Sequence, residues 1–307
     1  SGTLSIVLLA SEFFLPLRLL GSFFHIAMNG MAASDKIFSI LDLPEPEDGE
    51  KTLPAGPLDV ALQDVHFSYE ADREILKGID LCLSAGSFVS LVGESGCGKS
   101  TVAGILGGRN RGYSGSVTVG GIPLSQVREE ELMKRVVLVR SNSYLFKGTV
   151  EENLKMAKPD ATKEEMETVL QKVNLLGFLE TQDGLQTQLL EKAANLSGGQ
   201  CQRLAIARAL LRREASVYIF DEAASNIDVE SEALIMEVIH ELAKTKTVLL
   251  ISHRLANVVQ SDKIYFLRGG EIQESGTHEA LMAAQGAYSR LFDSQMALER
   301  YGKGGVA

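Results

Sequence analysis

The chain has 307 residues, of which 45% are hydrophobic and 23% charged, so it can bury a core and is not of the disordered type. Its formal net charge of -10 argues against a nucleic-acid partner, because such partners bind a basic surface. The widely spaced cysteines Cys82, Cys97 and Cys201 form no CxxC pair and predict a reducing compartment, with neither a disulfide framework nor a zinc site.

Residues 1–43 are predicted to form one helix that differs in character from the rest of the chain. The stretch 4–20 is mostly apolar but is interrupted by Glu12, Pro16 and Arg18. A membrane-spanning helix needs about 20 mostly apolar residues, so this stretch is too short and too interrupted for a clean span. We expect here the end of a membrane domain, a helix that continues into the cytosol. A signal peptide is the alternative, disfavoured because no basic segment precedes the stretch and the helical pattern continues beyond it.

The prolines between residues 44 and 57 predict a linker, followed by a compact domain at 58–297 and a tail at 298–307. Runs at 217–220 and 248–251 are apolar throughout, which is typical of strands buried on both faces. Because strands alternate with helical segments, we predict an α/β fold with a mainly parallel sheet. The other predicted strands lie at 60–67, 79–83, 89–92, 117–119 (with a hairpin at Gly120-Gly121) and 264–267, and the predicted helices at 161–175, 278–284 and 288–296.

A glycine-rich loop follows the predicted strand at 89–92. It matches the P-loop pattern GxxxxGK[ST] at every fixed position, and a helical stretch follows, as the motif requires. The glycines let the backbone wrap phosphates, and the helix N-terminus directs free amides at them. Lys99 is predicted to reach the β- and γ-phosphates, and the Ser100 hydroxyl to bind Mg²⁺. The residues assigned to the nucleotide here are Gly93, Glu94, Ser95, Gly96, Cys97, Gly98, Lys99, Ser100 and Thr101.

Two carboxylates end the apolar run at 217–220. Asp221 stands where it can hold Mg²⁺, usually through water, and Glu222 where it can orient the attacking water. His253 directly follows the apolar run at 248–251 and is predicted to bond to the γ-phosphate. A histidine there is by itself more often structural, so this assignment depends on the P-loop.

The turn Ser197-Gly198-Gly199-Gln200 opens a predicted helix. A Ser-Gly-Gly turn at a helix N-terminus is a second anion site on the same chain. One nucleotide cannot use two distant sites of one subunit. We therefore predict a head-to-tail dimer in which each ATP lies between the P-loop of one copy and this turn of the other. A plain N-cap would explain Ser197 alone, but not the whole set of motifs.

Residues 58–297 resemble the nucleotide-binding domain of ABC transporters along their whole length, with the motifs in the family's order. The resemblance implies a P-loop NTPase core with an antiparallel β subdomain and an α-helical signature subdomain, ATP and Mg²⁺ as ligands, and ATP hydrolysis. It also implies that Tyr69 stacks on adenine and that residues 225–228 lie at the dimer contact, where Asp228 contributes to nucleotide binding. Glu191 resembles the loop that faces the membrane domain in exporters.

One position departs from the family pattern. Where the family has a glutamine that contacts Mg²⁺ and relays the nucleotide state to the membrane domain, this chain has Ser141. Serine is shorter and a poorer ligand. The departure therefore puts in question the Mg²⁺ geometry and the coupling of the nucleotide site to the membrane domain, but not ATP binding.

Residues 12–25, EFFLPLRLLGSFFH, are similar to the end of the membrane domain in CydD-type half-transporters. In that family a heterodimer exports cysteine and glutathione. The resemblance implies thiol export, a cell-membrane location with the cassette on the cytoplasmic side, and two partners: the chain's own membrane domain and a second, identical or homologous cassette. Glu12 and Arg18 lie either at membrane depth, where charges are costly and often functional, or at the interface.

Alternative functions of other classes stay open at this point. A regulatory cassette would bind ATP with little turnover; Glu222 and His253 speak against it, and Ser141 speaks weakly for it. A soluble cassette of DNA repair or translation is disfavoured by the acidic charge and the apolar N-terminal helix. Export of a lipid, peptide or drug is the alternative among transporters, and fusion to a membrane helix favours an exporter over an importer.

The cysteines near the two anion-binding turns carry a further expectation. Cys97 lies within the P-loop, and Cys201 follows the turn at 197–200. Helix N-termini lower the pKa of thiols. We therefore expect both to react faster with thiol reagents than Cys82, which lies in a predicted strand.

Overall fold

The chain divides into two units, residues 1–47 and 48–307, and each is described by itself. The first unit is one helix, α1 (Gly2–Leu41), which confirms the predicted helix. Its large apolar side chains, such as Phe13 and Phe24, are exposed. No helix in the described ranges has both the length and the apolar character needed to cross a membrane. The computed structural model describes residues 2–43, 48–70, 73–225 and 227–304, so positions 44–47 of the predicted linker lie outside the described residues.

The second unit alternates strands and helices, as predicted for an α/β fold, and every predicted strand lies within one of the strands found. In chain order the strands are β1 (Val60–Glu70), β2 (Arg73–Leu83), β3 (Phe88–Gly93), β4 (Ser114–Val119), β5 (Ile122–Pro123), β6 (Val136–Arg140), β7 (Gly148–Thr149), β8 (Gln188–Leu189), β9 (Val217–Asp221), β10 (Thr247–Ile251), β11 (Lys263–Arg268) and β12 (Glu271–Gly276). The α-helices are α2 (Lys99–Leu106), α3 (Glu129–Arg135), α4 (Val150–Lys155), α5 (Lys163–Lys172), α6 (Leu176–Glu180), α7 (Gly198–Leu210), α8 (Val229–Ala243), α9 (His278–Ala283) and α10 (Ala287–Gly304).

The larger sheet has six strands in the order β12-β11-β3-β10-β9-β6. All neighbours are parallel except β11 and β12, which confirms the prediction of a mainly parallel sheet. Every residue of β3, β9 and β10 is buried, as their apolar runs predicted. Ligands of such sheets bind beyond the carboxyl ends of the strands. The segments that follow β3, β6, β9 and β10 therefore meet at one edge.

A smaller antiparallel sheet has four strands in the order β2-β1-β4-β5. Gly120 and Gly121 connect β4 to β5 with φ of +58° and +72°, and Val119 pairs with Ile122 across the turn. A two-residue turn with positive φ at both positions is the preferred hairpin connection, so the predicted hairpin is confirmed. The buried face of this sheet shares a hydrophobic core with α2.

Helices α4 to α7 belong to the helical part of the domain. The predicted helix at 161–175 is shorter than expected, because Thr162 caps the start of α5 and Asn174, beyond its end, has a left-handed φ of +51°. In a capping box, two side chains satisfy the free amides of a helix start. Three such boxes occur in this region, at Thr149 with Glu152, Thr162 with Glu165, and Ser197 with Gln200.

The last helix, α10, is longer than predicted. It continues to residue 304 and so includes most of the predicted tail at 298–307, whose positions 305–307 lie outside the described residues. The fully buried Tyr288 joins α10 to α9, because its hydroxyl lies 2.8 Å from His278 Nδ1. The first turn of α10 is thus packed onto the domain.

Candidate active site

The P-loop connects β3 to α2, as predicted. Gly98 caps the start of α2 with φ of +111°. A Cβ at Gly98 would lie 2.7 Å from Leu76 Cδ2, and a Cβ at Gly93 would lie 2.0 Å from the Leu267 carbonyl oxygen. Both positions therefore require glycine. They let the loop turn directly into a helix N-terminus, where an anion is stabilised.

The Lys99 side chain is buried and lies over this loop. Its ammonium donates to the carbonyl oxygens of Gly93 and Glu94, both at 2.9 Å. A buried ammonium needs such acceptors, and phosphate oxygens can take their place. Lys99 is thus held where a phosphate in the loop would meet it.

The Ser100 hydroxyl joins the P-loop to the end of β9, because it donates to Asp221 Oδ1 at 3.0 Å. Burial raises the pKa of the Asp221 carboxyl, against the opposing effects of Ser100 and Arg140. A hydroxyl and a carboxylate are oxygen ligands of the kind that Mg²⁺ takes together with water and phosphates. In the described part of the chain no cluster of three or more His, Cys, Asp or Glu could hold a metal. Ser100 and Asp221 thus offer two oxygen ligands that suit Mg²⁺.

Glu222 and His253 face each other at the ends of β9 and β10. Glu222 Oε1 lies 3.7 Å from His253 Nδ1, and both side chains are partly exposed. Glu222 has a left-handed backbone with φ of +53°, which costs roughly 1–3 kcal/mol in a residue other than glycine. Its amide donates to the Ile251 carbonyl at 3.0 Å, so β10 holds the turn in place. The turn brings the Glu222 carboxylate to the segment that follows β10.

Tyr69 lies at the end of β1 beside α2. Its hydroxyl lies 3.3 Å from Thr101 Oγ1 and accepts from Asn110 Nδ2 at 3.1 Å. The ring packs edge-on against Phe67, with 4.9 Å between the centroids, yet 62% of the residue is exposed. An aromatic face is therefore fixed beside the first turn of α2 and is open to a planar ring.

The turn at 197–200 opens α7, as predicted, and its polar side chains bond to each other. Ser197 Oγ accepts from the Gln200 amide at 3.2 Å, and Gln200 Oε1 accepts from the Ser197 amide at 2.8 Å. Within the described residues, no hydrogen bond joins this turn to the P-loop. A Cβ at Gly199 would lie 2.3 Å from Ser231 Oγ, so the turn packs against the start of α8. The two predicted anion sites are thus built on different parts of the chain.

Asp228 caps α8 and lies next to this turn. It accepts from the Ser231 amide at 2.8 Å, and this hydrogen bond holds the pKa of the Asp228 carboxyl below its usual value. The residue assigned to the nucleotide thus also stabilises a helix start. Asn226, in the predicted contact segment 225–228, lies outside the described residues.

Residues 76–225 match the ABC transporter family. These residues form an ABC transporter ATP-binding domain. Domains of this family are ATPases that drive transport. The whole chain is similar to larger proteins of the exporter type.

Over 97% of its length the chain is 48% identical to an uncharacterized ABC transporter ATP-binding protein of Haemophilus influenzae, and it covers 54% of that protein. It is 37% identical, over 92% of its length and 49% of the relative, to the ATP-dependent lipid A-core flippase of Chromobacterium violaceum. The solved structure of a bacterial Atm1-family ABC exporter with ATP bound is 30% identical, with a TM-score of 0.80 over 93% of this chain and 50% of that one. The chain thus spans roughly half the length of these relatives.

In this ABC domain, Ser141 lies beside the proposed metal site, since its amide donates to the Asp221 carbonyl at 3.1 Å. The neighbouring Arg140, which the sequence analysis missed, places its Nε 3.9 Å from Asp221 Oδ2. Gln202 of α7 donates to the Arg140 carbonyl at 3.0 Å. The segment that departs from the family pattern therefore connects Asp221 with α7, the helix that the turn at 197–200 opens. A cation at a strand end directly before Ser141 was the signal that could have identified Arg140.

The expectation of low thiol pKa values in the ABC domain is wrong. Burial raises the pKa of Cys97 and of Cys201 above the usual thiol value. Cys97 is buried and Cys201 half-buried, whereas Cys82 is exposed. At Cys97, desolvation thus outweighs the opposing effects of Lys99 and of backbone hydrogen bonds on the pKa.

Proposed function

We propose that this chain is the ATP-hydrolysing motor of an exporter half-transporter. The hydrogen bond between Ser100 and Asp221 carries the proposal, because it brings a complete P-loop to the carboxylate strand end, where Glu222 lies 3.7 Å from His253. Phosphoryl transfer needs this combination of a phosphate cradle, a metal site and a group that orients water. The similarity to exporters supports transport as the work that hydrolysis drives.

Each residue has a distinct role in this proposal. The P-loop holds the phosphates of ATP, and Tyr69 stacks on adenine. Ser100 and Asp221 hold Mg²⁺, which would neutralise phosphate charge. Glu222 orients the attacking water and accepts its proton, and His253 donates a hydrogen bond to the γ-phosphate.

A second cassette supplies the other half of each site. The turn at 197–200 packs against α8 in its own chain, and its helix N-terminus is suited to the ATP of a head-to-tail partner. Asp228 would lie at the same interface. The exposed apolar side chains of α1 suit packing within a membrane domain, with the cassette on the cytoplasmic side. Glu191, exposed at the start of a short 3-10 helix, would face that domain.

Two substrate classes follow from two different observations. The resemblance of residues 12–25 to the CydD type favours cysteine or glutathione as the exported substrate. The relatives named lipid A-core flippases, 36–39% identical to this chain, favour an amphipathic lipid instead. ATPase activity of the full-length transporter, reconstituted in vesicles, would be stimulated by glutathione in the first case and by lipid A in the second.

The shared site predicts complementation between two inactive variants. Lys99→Ala removes the cation of the P-loop, and Ser197→Arg places a bulky side chain in the turn at 197–200. A mixed dimer contains one site with both halves intact, so an equal mixture should regain about a quarter of the wild-type rate if dimers form at random.

Phosphate release from Mg-ATP is measured across a range of protein concentrations, and the wild-type specific rate should rise with concentration. A mixture as inactive as its components would exclude the shared site. A wild-type chain that releases no phosphate at any concentration would exclude the motor.

A further inference from the structure

Residues 252–255, which carry His253, are fixed by several side chains. Ser252 Oγ accepts from the Arg254 amide and donates to the Arg254 carbonyl, both at 3.0 Å. The Arg254 guanidinium pairs with the Glu232 carboxylate on α8, a side chain that is only 7% exposed. Glu232 also accepts from Asn257 Nδ2 at 2.8 Å. These contacts attach one side of the segment to α8.

The last helix holds the same segment from another direction. Gln295 on α10 donates through Nε2 to the His253 carbonyl at 2.6 Å and accepts through Oε1 from the Leu255 amide at 2.9 Å. A carboxamide combines a donor and an acceptor in one rigid group. One side chain therefore satisfies backbone groups on both sides of Arg254.

The His253 imidazole depends on this backbone for its position. Half of the side chain is exposed, and its 3.7 Å contact with Glu222 is longer than a hydrogen bond. A displacement of about 1 Å in an active site can lower a rate by roughly 100-fold. Loss of the side chain that fixes the backbone on both sides of residue 254 would therefore allow the imidazole to move.

We infer that Gln295 is a positioning residue for His253, through which the C-terminal helix stabilises the contact to the γ-phosphate. The inference rests on the proposed function, in which His253 makes that contact. It adds a residue outside the nucleotide motifs to the machinery of hydrolysis. It also gives α10 a role beyond packing.

Two variants and a matched control test the inference in the full chain. Gln295→Met keeps the length of the side chain and loses both hydrogen bonds. Gln295→Glu keeps the acceptor for the Leu255 amide, but at neutral pH it turns a carboxylate oxygen toward the His253 carbonyl. Ser294→Ala is the control on the same helix, because the Ser294 hydroxyl bonds to the Arg290 carbonyl within α10.

We expect kcat to fall roughly 10-fold or more in both Gln295 variants, while the dissociation constant for mant-ATP stays within about twofold, since binding depends mainly on the P-loop. The imidazole C2–H NMR signal of His253, assigned with His253→Gln in the nucleotide-free chain, should shift in both. Ser294→Ala should leave both measurements unchanged.

An unchanged His253 signal, or a Gln295→Met variant with wild-type kcat, would overturn the inference and leave the proposed motor intact. If the wild-type chain neither binds mant-ATP nor hydrolyses ATP, the proposed function fails, and a positioning role for hydrolysis fails with it. A shifted His253 signal would then still show that the contact exists.

Discussion

Replacing Glu222 with glutamine should separate catalysis from binding and stability. Loss of a general base lowers a rate by about 10²–10⁴, which corresponds to roughly 3–6 kcal/mol of transition-state stabilisation, at about 1.4 kcal/mol for each factor of ten. The folded chain should lose little, because the contact to His253 is 3.7 Å and both side chains are partly exposed. Such pairs contribute about 0–1 kcal/mol, so the Tm should fall by no more than about 2–4 °C.

Phosphate release at saturating Mg-ATP, mant-ATP binding and thermal unfolding measure the three quantities. Glu241→Gln is the matched control, because it makes the same change of charge at an exposed position of α8. ATP affinity should be retained, since the phosphates are assigned to the P-loop. A folded Glu222→Gln variant that binds ATP and hydrolyses it within threefold of the wild-type rate would refute the assignment.

Three further predictions concern burial. Burial raises the pKa of Asp221 in the folded chain, so the charge on Asp221 opposes folding above that pKa. Asp221→Asn should therefore raise the Tm at pH 7.5. The gain in Tm should shrink as the pH falls toward the usual pKa of an aspartate. Burial raises the pKa of Tyr288 to about 12, so its hydroxyl is protonated at neutral pH. Tyr288→Phe removes the hydroxyl that bonds to His278, and the free energy of unfolding measured in urea should therefore fall by about 1 kcal/mol. Maleimide should label Cys82 before Cys97, as peptide mapping would show; equal rates would contradict the burial argument.

Local motifs made the core of the site predictable from the sequence. The P-loop pattern predicts a strand before the loop and a helix after it. The continuous apolar runs that end at Asp221 and Ile251 predicted buried strands. The parallel sheet then brings their carboxyl ends together. The Gly120-Gly121 pair was sufficient to predict the hairpin, because only a few residue types adopt positive φ at both positions of a two-residue turn.

Contacts that join distant parts of the chain were not predictable. Gln295 bonds to backbone atoms of residues 253 and 255, and nothing in the local sequence marks a side chain that satisfies a backbone far away. Strand β6, which ends at Arg140, was missed because it follows α3 without a turn signal. The thiol prediction for Cys97 failed because helix-terminus chemistry was weighed without burial, which a sequence does not give.

The strand order also has a consequence for biosynthesis. Strand β3, which leads into the P-loop, lies between β10 and β11, with Phe88 opposite Val248 and Val89 opposite Lys263. During translation the complete P-loop motif leaves the ribosome long before either neighbour of its strand exists. The nucleotide site can therefore form only after nearly the whole domain has been made. Until then the apolar strand β3 of the nascent chain is unpaired and prone to aggregation. A message truncated before β10 would encode every residue of the P-loop and still yield no ATP-binding protein.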